Sequence, residues 1–121
     1  LLGTHIAKNI LLESLTEIEN DAFRENEIEE LYIPSDIQKI GFTAFENSTM
    51  TKLHIRSRHP EQIDVTDAAF DGCAKHCTLY VPFRTGSAYR NHPVFGKFRE
   101  VVLERVSSIQ NNALLQRKMN G

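Results

Sequence analysis

The feature of this sequence that most restricts its fold is an internal repeat. Three segments end in an Ala-Phe pair, and each has an aliphatic residue five positions before the phenylalanine. A short apolar segment follows each pair. The phenylalanines are Phe23, Phe45 and Phe70, and the apolar segments are Leu31-Tyr32-Ile33, Leu53-His54-Ile55 and Leu79-Tyr80-Val81. The phenylalanines are 22 and 25 residues apart and the leucines 22 and 26, which is too short for repeats built from pairs of helices.

Each unit is predicted to contribute one strand to a parallel sheet. The alternation in Leu31-Tyr32-Ile33 predicts a half-buried strand, with the two aliphatic side chains inward and the tyrosine outward. Pro34 and Pro82 follow two of these segments and are predicted to end the strand pairing, because proline has no N–H to donate to a ladder.

The interior is predicted to hold a column of phenylalanine rings. No single unit can bury its apolar face alone, so stacked neighbours have to supply the core. The matched spacing predicts that Phe23, Phe45 and Phe70 stack and are almost fully buried. The extra residues of the third unit fall between its apolar anchors, mainly around 57–60, where a loop tolerates insertion.

A partial unit precedes the three complete ones. Its aliphatic residues are Leu11, Leu15 and Ile18, each 22 positions before one of Ile33, Ile37 and Ile40. The partial unit is therefore expected to place Leu11 at the position of Ile33 in the next unit.

The unit Leu-Tyr-Ile-Pro-x-x-Ile-x-x-Ile-Gly-x-x-Ala-Phe, over residues 31–45, resembles the BspA-type leucine-rich-repeat family. The segment from Cys77 to Phe98 and the apolar strand after it resemble the end of such an array. The family is common on Bacteroides-like anaerobes, and its members are described as adhesion or binding modules, often secreted or anchored as lipoproteins. The resemblance implies an extracellular or cell-surface location and a protein or glycan ligand, and it supplies no catalytic residues.

The predicted fold is an α/β solenoid, a short leucine-rich-repeat array with parallel strands, a C-terminal cap and a terminal helix. The chain is treated as a single domain over 1–121, with repeats over 9–82, a cap over 83–105 and a helix over 106–121. Within the cap, Thr85 to Asn91 is predicted to form a short helix and Val101 to Leu103 a last strand. The terminal helix either packs on the cap or mediates linkage or self-association.

Charge and hydropathy argue against a nucleic-acid-binding protein and against a membrane-spanning one. The formal net charge of the 121 residues is −2, which does not support nucleic-acid binding. No apolar run approaches the roughly 20 residues needed for a membrane-spanning helix.

Residues 1–50 carry a net charge of −7 and residues 51–121 a net charge of +5. This drift either reflects a solvated surface or marks an anionic partner bound towards the C-terminal end. The sequence leaves the oligomeric state open.

The residue patterns favour a protein without catalytic activity, metal or cofactor. Cys73 and Cys77 are four apart beside His76, a spacing that is more typical of buried or free thiols than of a zinc site. Cys77 lies two residues before Leu79 and is predicted to face the core. The six glycines are scattered, so no phosphate-binding loop is present.

A structural spacer within a larger surface protein is the first alternative to a binding module, and a hydrolase is the more distant alternative.

Candidate binding residues are predicted on the outward face of the sheet. Strand alternation places Tyr32, His54 and Tyr80 outward in one row, with a basic edge at Lys52 and Arg56. Aromatic rings beside polar groups suit sugar or protein surfaces. The competing interpretation, which the sequence favours, is a ladder that only stabilises the sheet. A second candidate location is the insertion 57–62, with Arg58 and His59.

Overall fold

The computed structural model of the chain describes residues 9–11 and 15–105. The longer strands are β1 (Asn9–Leu11), β3 (Glu30–Ile33), β5 (Lys52–Ile55), β6 (Thr78–Pro82) and β7 (Glu100–Glu104). They form one parallel sheet in the order β1-β3-β5-β6-β7. Two shorter strands, β2 (Glu17–Ile18) and β4 (Lys39–Ile40), form a second parallel sheet. The α-helix α1 spans Gly86–Arg90, and 3₁₀ helices span Pro60–Gln62, Asp67–Phe70, Ala74–His76 and Phe95–Lys97.

The repeated strands lie in the register that the sequence predicts. Leu31, Leu53 and Leu79 are opposite one another in adjacent strands, and all three are fully buried. Val101 of β7 continues this row, which confirms the predicted last strand. The core therefore lies behind the five-stranded sheet, on the side of the inward aliphatic residues.

The phenylalanine column is confirmed and forms the centre of the core. Phe23, Phe45 and Phe70 are 1%, 0% and 2% exposed. Their ring centroids are 5.1 Å apart at both steps, with interplanar angles of 5° and 4°. The backbone repeats this stacking, because the Phe23 N–H donates to the Ala44 carbonyl and the Phe45 N–H to the Ala69 carbonyl, each at 2.7 Å. Each turn of chain is thus fixed to the next by both ring and backbone.

The bend after each phenylalanine requires a left-handed backbone conformation. Two residues beyond the rings, Glu25, Asn47 and Gly72 have φ angles of 56°, 56° and 74°. Glycine adopts this region at no steric cost and asparagine at a small one, whereas glutamate is disfavoured there. The bend therefore recurs in all three units although only one of them carries glycine.

Aromatic residues close the far end of the phenylalanine column. Phe98 contacts Phe70 edge-on at 4.9 Å, and Phe95 lies 6.1 Å from it. Tyr89 of α1 contacts Phe95 at 5.3 Å, and its hydroxyl donates to the Ser57 carbonyl at 2.6 Å. Burial raises the pKa of Tyr89, so the phenol stays protonated as that donor. Without these rings the last unit would expose its apolar face.

The described residues are less helical than the predicted α/β solenoid. They contain one α-helix, of five residues, and the remaining bends use turns and 3₁₀ helices. A unit of about 22 residues has to hold a strand and two bends, which leaves room only for short helical turns. The parallel strands are those of a repeat array that is solenoid-like, and the described residues do not form a closed solenoid.

Two details of the repeat prediction are wrong, and one lies outside the described residues. Leu11 is opposite Tyr32, not Ile33, so β1 pairs one residue short of the 22-residue spacing, and hydrogen bonding between the strands sets its register. Pro82 does not end the pairing, since it is the last residue of β6 and lies opposite Glu104 of β7. The next amide, that of Phe83, supplies the N–H and donates to the Glu104 carbonyl at 2.8 Å. The terminal helix predicted over 106–121 falls outside the described residues.

Replacing Phe45 by alanine should destabilise the protein by about 3–5 kcal/mol, because it empties the middle of the column and leaves a cavity between two rings. The measurement is the free energy of unfolding from urea titration. Phe42→Ala is the matched control, since Phe42 is 62% exposed, and it should change stability by less than about 0.5 kcal/mol. Equal effects of the two substitutions would contradict a central role for the column.

Replacing Glu25 by glycine should stabilise the protein by about 0.5 kcal/mol. The substitution relieves the left-handed strain at Glu25, and the greater flexibility of the unfolded chain offsets part of this gain. Glu29→Gly removes the same charge from an exposed position outside the left-handed region. It should lower stability by about 0.5–1 kcal/mol. The urea midpoints of the two variants should therefore move in opposite directions, and a shared direction would refute the strain argument.

Candidate functional site on the sheet face

Three rings lie in a row on the outward face of the sheet. Tyr32 of β3 is opposite His54 of β5, which is opposite Tyr80 of β6. Each lies between two inward aliphatic residues, so the period of two along a strand points all three rings away from the core. The structure thus confirms the predicted register of the row. A role of the row in binding stays a prediction.

The rings of the row form a continuous stack. The His54 ring is 4.0 Å from Tyr32 and 4.5 Å from Tyr80, centroid to centroid, with interplanar angles of 13° and 12°. These distances are below the usual spacing of about 4.8 Å between strands, so the rings lean together. His54 is consequently 4% exposed.

Two carboxylates hold the edge of the His54 ring. Its Nε2 lies 2.7 Å from a Glu30 oxygen, and its Nδ1 lies 3.0 Å from the Glu104 carboxylate. Glu104 belongs to β7, so its side chain reaches past β6 to His54. A neutral imidazole has one N–H and can donate to one of the carboxylates, whereas the imidazolium donates to both. The ring with its two acids ties β3, β5 and β7 together.

The structure encloses the His54 ring, which the sequence names as a candidate binding residue, and its role in binding stays a prediction. It points outward, but two rings cover its faces and two carboxylates its edge. The half-buried Tyr32 and Tyr80 remain accessible at their sides. Burial, with the nearby Glu30 and Glu104 charges, raises the pKa of Tyr32. The accessible aromatic surface of the row is therefore that of the two tyrosines.

The predicted basic edge has two unlike members. Lys52 is exposed. Arg56 is half-buried, and its guanidinium carbon lies 5.7 Å from the centre of the Tyr32 ring, a cation–π contact. Arg56 thus extends the aromatic row with a positive charge, while Lys52 presents its ammonium group to solvent.

Arg58 and His59 lie on a different surface from the row. Both belong to the insertion, and Arg58 donates to the Phe83 carbonyl at 3.1 Å. His59 is exposed, and its Nδ1 lies 3.4 Å from Glu61. Ser57, Arg58 and His59 line a polar pocket of about 610 Å³. The structure therefore separates the two candidate locations named from the sequence.

Several residues of these surfaces carried no local signal in the sequence. Glu104 meets His54 across 50 positions of chain, and only the register of β7 brings them together. Glu30 lies in an acidic segment without a motif of its own, yet its carboxylate bonds His54. Phe83, Arg84 and Arg105 form an aromatic and basic cluster that no spacing rule indicates.

The two cysteines are buried free thiols, as the sequence favours. Both are fully buried beside the 3₁₀ helix that separates them. A hydrogen bond with Cys73 and burial raise the pKa of Cys77, which disfavours the nucleophilic thiolate. His76 is held instead by the Ser48 carbonyl, 3.1 Å from its Nε2. Among the described residues, no three His, Cys, Asp or Glu side chains cluster as metal ligands.

Comparison with known families agrees with the repeat architecture. The family model for BspA type leucine rich repeat regions matches residues 3–118, in six copies. The chain belongs to the BspA-type leucine-rich-repeat family. Comparisons with curated proteins and with solved structures found no significant match.

The family model counts more copies than the three complete units and one partial unit recognised from spacing alone. For a BspA-type repeat, β7 behaves as a further strand of the array, since it continues the sheet in parallel register. No helix in the described part of the chain is long and apolar enough to cross a bilayer.

Replacing His54 by phenylalanine should destabilise the protein by about 1–3 kcal/mol. The stack survives, but Glu30 and Glu104 lose their shared partner and face each other across an apolar ring. The measurement is the free energy of unfolding at neutral pH. In a Glu30→Gln, Glu104→Gln background the same substitution should cost much less. An equal cost in both backgrounds would mean that His54 acts only through ring packing.

Proposed function

We propose that this chain is a non-enzymatic binding module of a bacterial surface protein. In this proposal it recognises a protein or glycan ligand outside the cell, in an adhesion-type role. Membership of the BspA-type family supports a repeat module, and repeat arrays present extended surfaces suited to recognition. The proposal also keeps two boundaries drawn from the sequence, repeats over 9–82 and a cap over 83–105.

The observation that carries this proposal is the rigid aromatic row on the sheet face. Stacking fixes the rings of Tyr32 and Tyr80 on either side of His54, and the Glu30 and Glu104 carboxylates fix the ring between them. Side chains held in place lose little entropy when a ligand binds, so a preorganised surface gains affinity. Lys52 and Arg56 beside the row add positive charge for an anionic group of the ligand.

The alternative is a structural spacer within a larger surface protein. The observation that favours it is the burial of His54, since a ring that is 4% exposed and bonded on both nitrogens already has its partners within the protein. Cross-strand ring pairs stabilise a sheet by about 0.2–1 kcal/mol each. A spacer needs such a ladder whether or not it binds anything. In this reading the tyrosines contribute to stability alone.

A hydrolase is the more distant alternative. It would need a deep pocket with titratable groups poised for acid–base or nucleophilic chemistry. The raised pKa of the buried Cys77 thiol and the carbonyl bond of His76 support non-enzymatic binding instead.

The Tyr32→Ser, Tyr80→Ser double variant tests the sheet face. The variant should lose at least about tenfold in affinity for the ligand found on a glycan and host-protein array, because two aromatic contacts disappear. The measurement is a dissociation constant by calorimetry, after circular dichroism has shown that the variant is folded.

Phe42→Ser is the matched control for this test. It removes an exposed ring on a bend away from the sheet, so affinity should be unchanged. Unchanged affinity in the double tyrosine variant would remove the binding site from the sheet face. A loss of stability without any ligand on the array would favour the spacer.

A further inference from the structure

An exposed phenylalanine just beyond β6 contacts three arginines, of which its sequence neighbour is one and two come from distant parts of the chain. Phe83 is 38% exposed, and its carbonyl accepts a hydrogen bond from Arg58 at 3.1 Å. The guanidinium carbons of Arg84 and Arg105 lie 5.8 Å and 4.5 Å from the centre of its ring. Both distances are within the range of cation–π contact. The three arginines and Phe83 are here called the arginine cluster.

In the described part of the chain, the arginine cluster has no carboxylate as an ion-pair partner. Glu104 is adjacent to Arg105 in sequence, but its carboxylate is bonded to His54. Three exposed guanidinium groups held together by one aromatic residue repel one another, and an anion from outside relieves that repulsion.

The arginine cluster adjoins the polar pocket of about 610 Å³, because Arg58 belongs to both. Most of the pocket is lined by hydroxyl and amide side chains, and Ile37 is its aliphatic member. The neutral polar residues are Thr16, Ser35, Gln38, Ser57 and Gln62. Ser57 is fixed in place, since its carbonyl accepts from the Tyr89 hydroxyl at 2.6 Å and its own hydroxyl accepts from the His59 amide at 3.1 Å.

We propose that this surface binds an acidic oligosaccharide. The hydroxyl and amide groups of the pocket bond sugar hydroxyls, and the arginine cluster takes a sulfate or carboxylate substituent of the same chain. Guanidinium groups match both anions with paired N–H donors. Asp36 also lines the pocket, where its carboxylate accepts from sugar hydroxyls and directs the anionic substituent towards Arg58.

An acidic glycan fits this surface better than an acidic protein. A protein interface has an apolar core. Among the described residues, this part of the chain exposes two large apolar side chains, Phe83 and Leu103. Two such side chains are too few to form the apolar core of a protein interface. The inference deepens the proposed binding role, but it rests on a surface separate from the tyrosine row. The Tyr32→Ser, Tyr80→Ser variant should therefore bind an acidic glycan normally, so failure of either proposal leaves the other standing.

The test is calorimetric titration of the whole chain with four probes. These are a heparin octasaccharide, its desulfated form that keeps the carboxylates, a neutral maltooligosaccharide of equal length and a poly-glutamate peptide. The heparin probe should bind with an affinity that falls as salt rises. The desulfated probe should bind more weakly if sulfate is the preferred substituent, and comparably if carboxylate is. The neutral probe should bind at least about tenfold more weakly than the better acidic glycan.

Variants separate a built site from general attraction between opposite charges. Arg58→Ala and the Arg84→Ala, Arg105→Ala pair should each weaken binding of the better acidic glycan about tenfold, while Gln38→Ala with Gln62→Ala should weaken it several-fold. Lys75→Ala is the control, because it removes one exposed charge that lies outside the arginine cluster and the pocket. An equal loss in Lys75→Ala, no binding of either acidic glycan, or tighter binding of poly-glutamate than of both would overturn the proposal.

Discussion

Stacking of identical bends is the constraint on which this structure depends. Each phenylalanine of the column packs face to face with the next at 5.1 Å, and the amide of one bend donates to the carbonyl of the neighbouring bend. Ring and backbone therefore repeat with the same period. The last bend has no following phenylalanine to cover its ring, so Phe95 and Phe98 lie against Phe70, and Tyr89 packs on Phe95. Neighbours hold the bends so firmly that Glu25 adopts a left-handed conformation suited to glycine.

The same period produces the outward face. Parallel strands in register place equivalent residues side by side, so two tyrosines and a histidine become one stack. The stack also reduces access to its middle ring, since His54 is buried between the two tyrosines. The carboxylates of Glu30 and Glu104 make the row rigid and give it acidic neighbours beside Lys52 and Arg56. The sheet face therefore carries charges of both signs close to the aromatic row.

The insertion and the end of β6 create a surface of different chemistry. Its three arginines each contact Phe83, and no carboxylate of the described chain forms an ion pair with them. The drift of charge from a net −7 in residues 1–50 to +5 in residues 51–121 has its clearest structural counterpart here. One repeat array can thus present two unlike surfaces, because loops between the anchors vary freely while the anchors do not.

The sequence by itself determined the buried phenylalanine column and the register of the main repeated strands. The spacing of Phe23, Phe45 and Phe70 was sufficient to predict a buried column, and the alternation of each apolar segment was sufficient to predict a parallel sheet with its outward row. A periodic pattern carries this information because equivalent positions of the stacked units have the same neighbours and therefore carry similar residues. The family resemblance rested on the same period, and the family match confirms it.

Only the tertiary structure decided the contacts that do not repeat. Glu104 reaches His54 across 50 positions of chain, and Arg58 meets Phe83 across 25. Such pairs depend on the register of the last strand and on the path of one insertion, neither of which leaves a local pattern. The one-residue shift of β1 and the position of Pro82 within β6 have the same origin, since hydrogen bonds between strands, not spacing along the chain, determine which residues face each other.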